Sequence, residues 1–303
     1  MSSVVGIGAC VMDTLVHVPS YPTEDTKLRA LDSRPAGGGP VATGLVATAK
    51  LGVSAAYVGV LSGDSAGAFL KEDFTRYGVN ADAINVQDGY RSFTSTVWLS
   101  AATGSRTCVF DKGNLPSLRL TEKQKQVVSA ARVLMVDGNE LDAAIEAAHI
   151  IHEADGKVLY DAGGLYEGVE RLLPLADILI PSEEFACGHT GCKTVEEAAK
   201  KLYTDYQPEV VVITCGKRGG IWYDGNTVTA YPAYPVQVVD SNGAGDVFHG
   251  AFAAGVIKGY SYETCCHFAS AVSALKCTGI GARNSVPDFE TAKAFLKENG
   301  YDL

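Results

Sequence analysis

The chain has 303 residues, 47% of them hydrophobic and 20% charged, enough for one large α/β domain or two small ones with a sizeable core. Its net charge of −10 argues against a nucleic-acid or anionic-membrane surface. The sequence has no run of 18 apolar residues, which excludes a transmembrane helix, and its opening MSSVVGIGAC lacks the basic and apolar regions of a signal peptide.

In chain order, VVGIGA reads as a buried strand, and GGPVATGLVATAKLG reads as a helix built of small residues. SAAYVGVLSG reads as a second strand. Two polar stretches with weaker alternation, LVHVPSYPTEDTKLRALDSRPAG and RSFTSTVWLSAATGSRTCVFDKGN, lie between and after these. Within the latter, SFTSTVWLS alternates like a strand and SRTCVF is its partner across the turn AATG. The two stretches are expected to form a small β-subdomain inserted into an α/β core.

From about residue 130 onward the pattern is regular. ARVLMVDG, KVLYDAG, ADILIPS and EVVVITCG read as buried, β-branched strands. LDAAIEAAHIIHEADG is apolar at helical spacing and ends at Gly156. TVEEAAKKLYTDY opens with Thr194 and Glu197 in capping-box spacing. Buried strands alternating with helices imply a mainly parallel sheet covered on both faces, a three-layer α/β/α arrangement. With no repeat or low-complexity linker, one domain over residues 1–303 is expected, with the excursion built from about 13–36 and 91–112.

Eight cysteines are scattered without a C-x-x-C pair, and Cys265 and Cys266 are adjacent, which suits a reducing cytoplasm. Cys187 and Cys192 flank His189 in ACGHTGC, but no fourth ligand can be placed, so a structural role is favoured over a metal site.

Several glycine runs invite a nucleotide reading. GIGACV has Val11 at the third glycine position of a dinucleotide fingerprint. TCGKRGG lacks both the hydroxyl after Lys217 and the upstream glycine of a Walker A loop. VVDSNGAGDVFHGAFAAG is better. Gly243, Ala244 and Gly245 have no bulky side chains, so their amides can approach an anion. The tightly packing helix that follows has free first amides and a positive dipole end. Asp246 is an N-cap in the plain reading. In the chemical reading it accepts the proton of a hydroxyl that attacks a phosphate held by those amides.

DSNGAGD followed by VFHGAFAAG closely resembles the C-terminal signature of the ribokinase-like (PfkB) carbohydrate kinases. AGGGPVATGLVATAKLG (36–52) is similar to their N-terminal Gly-Gly motif. Further matches are the leading strand to Asp13, GDSAGAFLKEDFTRYGV (63–79), VVITCGKRGGIWY (211–223) and ASAVSALKCTGIGARNSVPD (269–288), so the resemblance spans essentially the whole chain. It implies an α/β core with a β-sheet lid, which the inserted segments would form. It also implies transfer of the γ-phosphate of ATP, with Mg²⁺, to a sugar hydroxyl, usually a primary one, and pairing of lids in a homodimer.

Carried over by position, Asp246 is the general base and Gly243, Ala244 and Gly245 the anion hole. Asp13, Gly38, Gly39 and Thr43 match sugar contacts, although Asp13 also suits a loop cap and Thr43 replaces the family's usual Asn. Thr214, Gly216 and Gly219, with Asn242, Lys276 and Gly279, match the nucleotide side. Asp240, Gly281 and Ser285 resemble a monovalent-cation (K⁺) site. The family's Asn-x-x-Glu, which helps organise Mg²⁺, reads Ser182-Glu183-Glu184-Phe185, and Glu183 is the substitute we expect.

GGGPVAT and GAGDVFHG look most like the branch that includes sulfofructose kinases, close to ketose kinases. Lys27, Arg29, Arg34, Arg106 and Lys112 lie in the lid segments and either meet an anionic substrate end or are solvated surface charges. Asp111 and Asn114 either contact sugar hydroxyls or make a turn. The leading expectation is a ketohexose-type sugar kinase. A nucleoside kinase of the same fold would use Phe93 and Trp98 as a base pocket. A non-catalytic sugar-binding regulator would have no need of Asp246 behind an intact Gly-Ala-Gly.

Overall fold

The computed structural model describes residues 2–303. The first half contains β1 (Val4–Ile7), β2 (Val11–Val18), β3 (Asp32–Gly38), α1 (Pro40–Lys50), β4 (Ala55–Tyr57), β5 (Gly59–Ser62) and α2 (Ser65–Arg76). It continues with β6 (Val79–Asn80), β7 (Ile84–Gln87), β8 (Thr94–Ser100), β9 (Arg106–Asp111) and α3 (Glu122–Ser129). The second half runs β10 (Val133–Val136), α4 (Leu141–Glu153), β11 (Lys157–Ala162), β12 (Ile178–Pro181), α5 (Glu183–Thr190) and α6 (Val195–Tyr206). It ends with β13 (Val210–Thr214), β14 (Gly220–Tyr223), β15 (Val228–Tyr231), α7 (Ala244–Ile257), α8 (Tyr262–Lys276) and α9 (Phe289–Glu298).

Nine strands form the central sheet in the order β15-β14-β13-β12-β11-β10-β1-β4-β6. Pairing from β13 through β6 is parallel, and the β13–β14 and β14–β15 pairs at one edge are antiparallel. Successive residues of its strands face opposite ways. Val4, Val133, Met135, Ile178 and Val212 pack with α1, α2, α7, α8 and α9 on one face. Val5, Leu134, Val136, Leu179 and Val211 pack with α3, α4, α5 and α6 on the other. Both faces are dry, which explains why the strands read as unbroken apolar runs.

A separate four-stranded sheet has the order β3-β2-β8-β9. Its β8–β9 hairpin follows the expected antiparallel pairing across the AATG turn. SAAYVGVLSG, expected to be one strand, is two. β4 stays in the central sheet, and β5 leaves it to pair with β7. Only half of the Thr194 capping box forms, through the Glu197 amide.

The small residues of α1 and α7 let the two helices cross at backbone contact. A β-carbon on Gly250 would lie 2.0 Å from Gly44 O, and Thr48 Oγ1 donates to both Gly44 O (3.0 Å) and Gly250 O (2.9 Å). This crossing sets the two helix N-termini side by side, which positions the site. No described helix is long and apolar enough to cross a membrane.

Candidate active site

Gly243 caps α7 in the left-handed region, at φ 76°. A β-carbon there would also lie 2.5 Å from Ala282 Cβ, so glycine is required twice over. No side chain caps this helix. Ala244 N turns back to Ser241 O (3.2 Å) and is spent there, so the three-residue anion hole expected from the motif narrows. Gly245 N finds no such partner among the described residues, and nothing lies within 4 Å of a β-carbon built on Gly245. Gly245 thus carries an unpaired first-turn amide on an exposed residue of the cavity wall, at the dipole's positive end.

Asp246, one residue further and half-buried, has its carboxyl pushed above the ordinary carboxylate range by burial. His249 and Arg106 oppose that rise, and Asp137 adds to it. His249 is buried one turn along α7. Its Nδ1 lies 2.6 Å from Gly245 O and 3.2 Å from Asp161 Oδ2, and its Nε2 lies 3.0 Å from Ile180 O. These contacts tie α7 to the ends of β11 and β12. Asp161 is also pushed up by burial, and its Oδ2 lacks a hydrogen-bond partner. Neither His249 nor Asp161 was singled out in the sequence.

Asp13 lies on β2, where Ser95 of β8 is its cross-strand partner and donates to Asp13 Oδ1 (2.6 Å). Its carboxyl is raised by burial, with the Ser95 bond and Arg283 opposing. A loop-cap role is thus replaced by a buried acid on the lid face that meets the core. Gly38 gives this acid its room, because a β-carbon there would lie 2.1 Å from Asp13 Oδ2. Gly39 caps α1 at φ 92°, where a β-carbon would lie 2.3 Å from Ala9 O.

Two charged residues that sequence reasoning missed brace this Gly-Gly turn. Arg283 is 2% exposed. It pairs with Asp73 Oδ2 (2.6 Å), donates to Gly38 O (2.7 Å) and reaches Thr43 Oγ1 (3.4 Å). Thr43 is fully buried, and its hydroxyl is taken by this arginine. Asp137, at the carboxyl end of β10, accepts from Ala9 N (2.9 Å), Val41 N (3.3 Å) and Asn139 N (3.0 Å). An acid at the carboxyl end of a parallel strand was the only available signal for it.

On the lid, Arg106 Nη1 donates to Ser241 O (3.3 Å) and so joins β9 to the loop before the anion hole. Lys27 is exposed in the coil between β2 and β3. Asn114 is used locally: its Oδ1 accepts from Arg91 N (2.6 Å), and Asp111 pairs with Arg91 (2.8 Å). Asp111 Oδ1 also accepts from Gly113 N (2.9 Å), a local turn contact. Trp98 alternates to the lid face opposite Ser95, and Phe93 packs against Phe110 at 5.7 Å.

A mostly apolar cavity of about 420 Å³ opens on the other side of Gly245. Thr214, Gly216, Gly219, Ala244 and Gly245 line it, with Val236 and Val238 across from them. Asn242, Lys276 and Gly279, expected on this cavity, are not part of its wall. Asn242 N donates to Asp240 Oδ1 (2.8 Å), Gly279 packs on Ser285, and Lys276 is buried beneath the loop.

Glu183, the expected Mg²⁺ residue, caps nothing in the cavity and is salt-bridged to Arg218 of the nucleotide-side turn. Among the described residues no three His, Cys, Asp or Glu side chains are grouped to hold a metal. His189 is held by Tyr206 OH (2.7 Å) and stacks on Phe185, a packing role.

An acid at a helix mouth, beside an apolar cavity and near the buried Asp13, suits phosphoryl transfer to an alcohol. Comparison with known proteins agrees. The model of the pfkB family of carbohydrate kinases matches residues 1–288, and the chain belongs to that family. Ribokinase of Haemophilus influenzae is 25% identical over 299 residues, covering 96% of this chain and 97% of that protein. Ketohexokinase of Mus musculus is 24% identical over 282 residues, covering 89% and 94%. The structure of Arabidopsis thaliana ribokinase complexed with ribose and ATP superposes with a TM-score of 0.87 at 26% identity, covering 98% of this chain and 99% of that one. The chain is an ATP-dependent carbohydrate kinase, a phosphotransferase with an alcohol group as acceptor.

Proposed function

We propose that the protein phosphorylates a ketohexose-type sugar, or a derivative of one, at a primary hydroxyl, with Asp246 as general base. The observation that carries this reading is the position of Asp246. It directly follows Gly245, which lines the cavity with its amide unpaired, and its charge is near enough to raise the carboxyl of Asp13 beside Gly38. ATP would place its base against the apolar wall of Val236 and Val238 and its γ-phosphate at Gly245. The sugar hydroxyls would meet Asp13 Oδ2, whose Oδ1 is already fixed by Ser95. Asp246 takes the proton of the attacking hydroxyl as its oxygen bonds to the γ-phosphorus, and the bond to ADP breaks. The Gly245 amide and the Arg106 guanidinium face the charge carried by the transferring group. Mg²⁺ use is typical of the family.

A nucleoside acceptor would need an aromatic slot on the lid's inner face. Trp98 points away from it, and Phe93 is taken up by Phe110, which favours a sugar. The outer strand β9 is exposed along its whole length, with Val109 65% and Phe110 60% exposed, and it suits pairing with the lid of a second copy. Sedimentation giving only monomer at micromolar concentration would remove that pairing. The test of the function is ATP-to-ADP turnover measured over free ketoses, sugar phosphates, sugar sulfonates and nucleosides. Turnover with a ketose or ketose derivative supports the reading. Turnover confined to nucleosides, or absent throughout, overturns it.

A further inference from the structure

The monovalent-cation site expected at Asp240, Gly281 and Ser285 is already bonded within the chain. Gly281 N and Asn242 N donate to the two carboxylate oxygens of Asp240, each at 2.8 Å. Ser285 Oγ donates to Lys276 O (2.6 Å). The backbone carbonyl of Asp240 accepts from Lys276 Nζ at 2.7 Å. That ammonium ends the last turn of α8 with 0% relative exposure. A lysine at a helix C-terminus ordinarily gains from the dipole while its head stays in water. Here the head is withdrawn from water and aimed into the loop before the anion hole. Burying a charge without a partner is costly, and here the Asp240 carbonyl accepts from it with the Asp240 carboxylate charge nearby.

The loop it enters is fastened to the end of α8 by Val239 N to Cys277 O (2.8 Å) as well. It then runs through Gly243, which packs on Ala282, into the mouth of α7. An ammonium and a potassium ion each bring one compact positive charge to carbonyl and carboxylate oxygens. We infer that Lys276 is a tethered substitute for the monovalent cation. It holds the Asp240 loop, and through it the Gly243–Gly245 turn, so that the protein needs no free K⁺. Lys276 is thus a positioning residue, and its effect on turnover rests on the kinase reading above. Its effect on stability does not.

The test compares the nucleotide-free protein in KCl, NaCl and tetramethylammonium chloride at equal ionic strength. The wild type should melt at one temperature in all three, and its turnover should differ by less than about twofold, since an ion that finds no site shifts nothing. Lys276→Ala should melt lower, and K⁺ should raise its melting temperature by several degrees over tetramethylammonium, because removal of the side chain opens a place beside Asp240 O. A K⁺-specific rise in the wild-type melting temperature, or several-fold K⁺ activation of the wild type, would overturn the inference. So would a Lys276→Ala protein that melts like the wild type in every salt. If Lys276→Ala does not fold, the wild-type arms decide alone. If no sugar is phosphorylated, the kinase reading fails while the melting arms still judge the lysine.

Discussion

The carboxylate of Asp13 occupies the space a β-carbon on Gly38 would need: Oδ2 stands 2.1 Å from that position. The glycine and the acid are one device, since the acid is buried against the turn only because the side chain is missing. Gly38→Ala should therefore displace Asp13. The KM for sugar should rise by about tenfold or more, as expected when a positioned contact moves by an ångström. The KM for ATP should stay unchanged, because the cavity lies beyond Gly245. Steady-state kinetics in both substrates check this, and an equal loss on both sides would count against it.

Arg283 and Asp73 form a buried ion pair whose two partners are both under 5% exposed. Removing Arg283 leaves Asp73 buried with only the exposed Arg76, 3.7 Å away, to face its charge. Arg283→Met should cost about 3–5 kcal/mol, the usual cost of breaking such a pair. Arg283→Met with Asp73→Leu should recover much of it. Denaturant unfolding of the single and double variants tests the coupling, and a mild single variant would mean that water reaches the pair.

Burial raises the carboxyl of Asp246, and this has a stability consequence. Between its ordinary value and its raised one, the native state holds the proton and the unfolded state has lost it. The native state then binds more protons, so stability falls as pH rises through that window and stays lower above it. Asp246→Asn should accordingly melt higher than the wild type at neutral pH, by about a few degrees. The difference should vanish once pH drops below the ordinary carboxylate value. Calorimetry across pH reads this directly, and a variant less stable at neutral pH would show that the environment favours the charged form.

Arg106 lowers the same carboxyl from across the lid. Arg106→Gln removes that charge, so the Asp246 pKa should rise further. The acid limb of kcat against pH should move to higher pH, with a higher KM for sugar from the loosened lid. An unmoved acid limb would separate Arg106 from the base.

The parts of this molecule that sequence can show are those whose cause is local. The mouth of α7 was legible because Gly243 and Gly245 are needed for backbone reasons within a few residues of Asp246. The strands β10 to β13 were legible because burial on both faces leaves continuous apolar runs. The same burial hid the break in SAAYVGVLSG, where β4 and β5 are equally apolar yet join different sheets. Arg283 was hidden because its partners Asp73 and Gly38 lie 210 and 245 residues away. Lys276 was misplaced on the nucleotide side because position along a motif does not say which way a long side chain turns. Glu183 was chosen by spacing, and its pairing with Arg218 depends on a turn 35 residues later.

The central claim is that Asp246 takes the proton of a sugar hydroxyl during transfer from ATP. Its most direct measurement is kcat of Asp246→Asn on the best ketose of the panel, at saturating ATP, with melting recorded on the same sample. A folded variant that loses about 10²–10⁴-fold in kcat is the predicted result. A folded variant that keeps near-wild-type kcat would contradict the account.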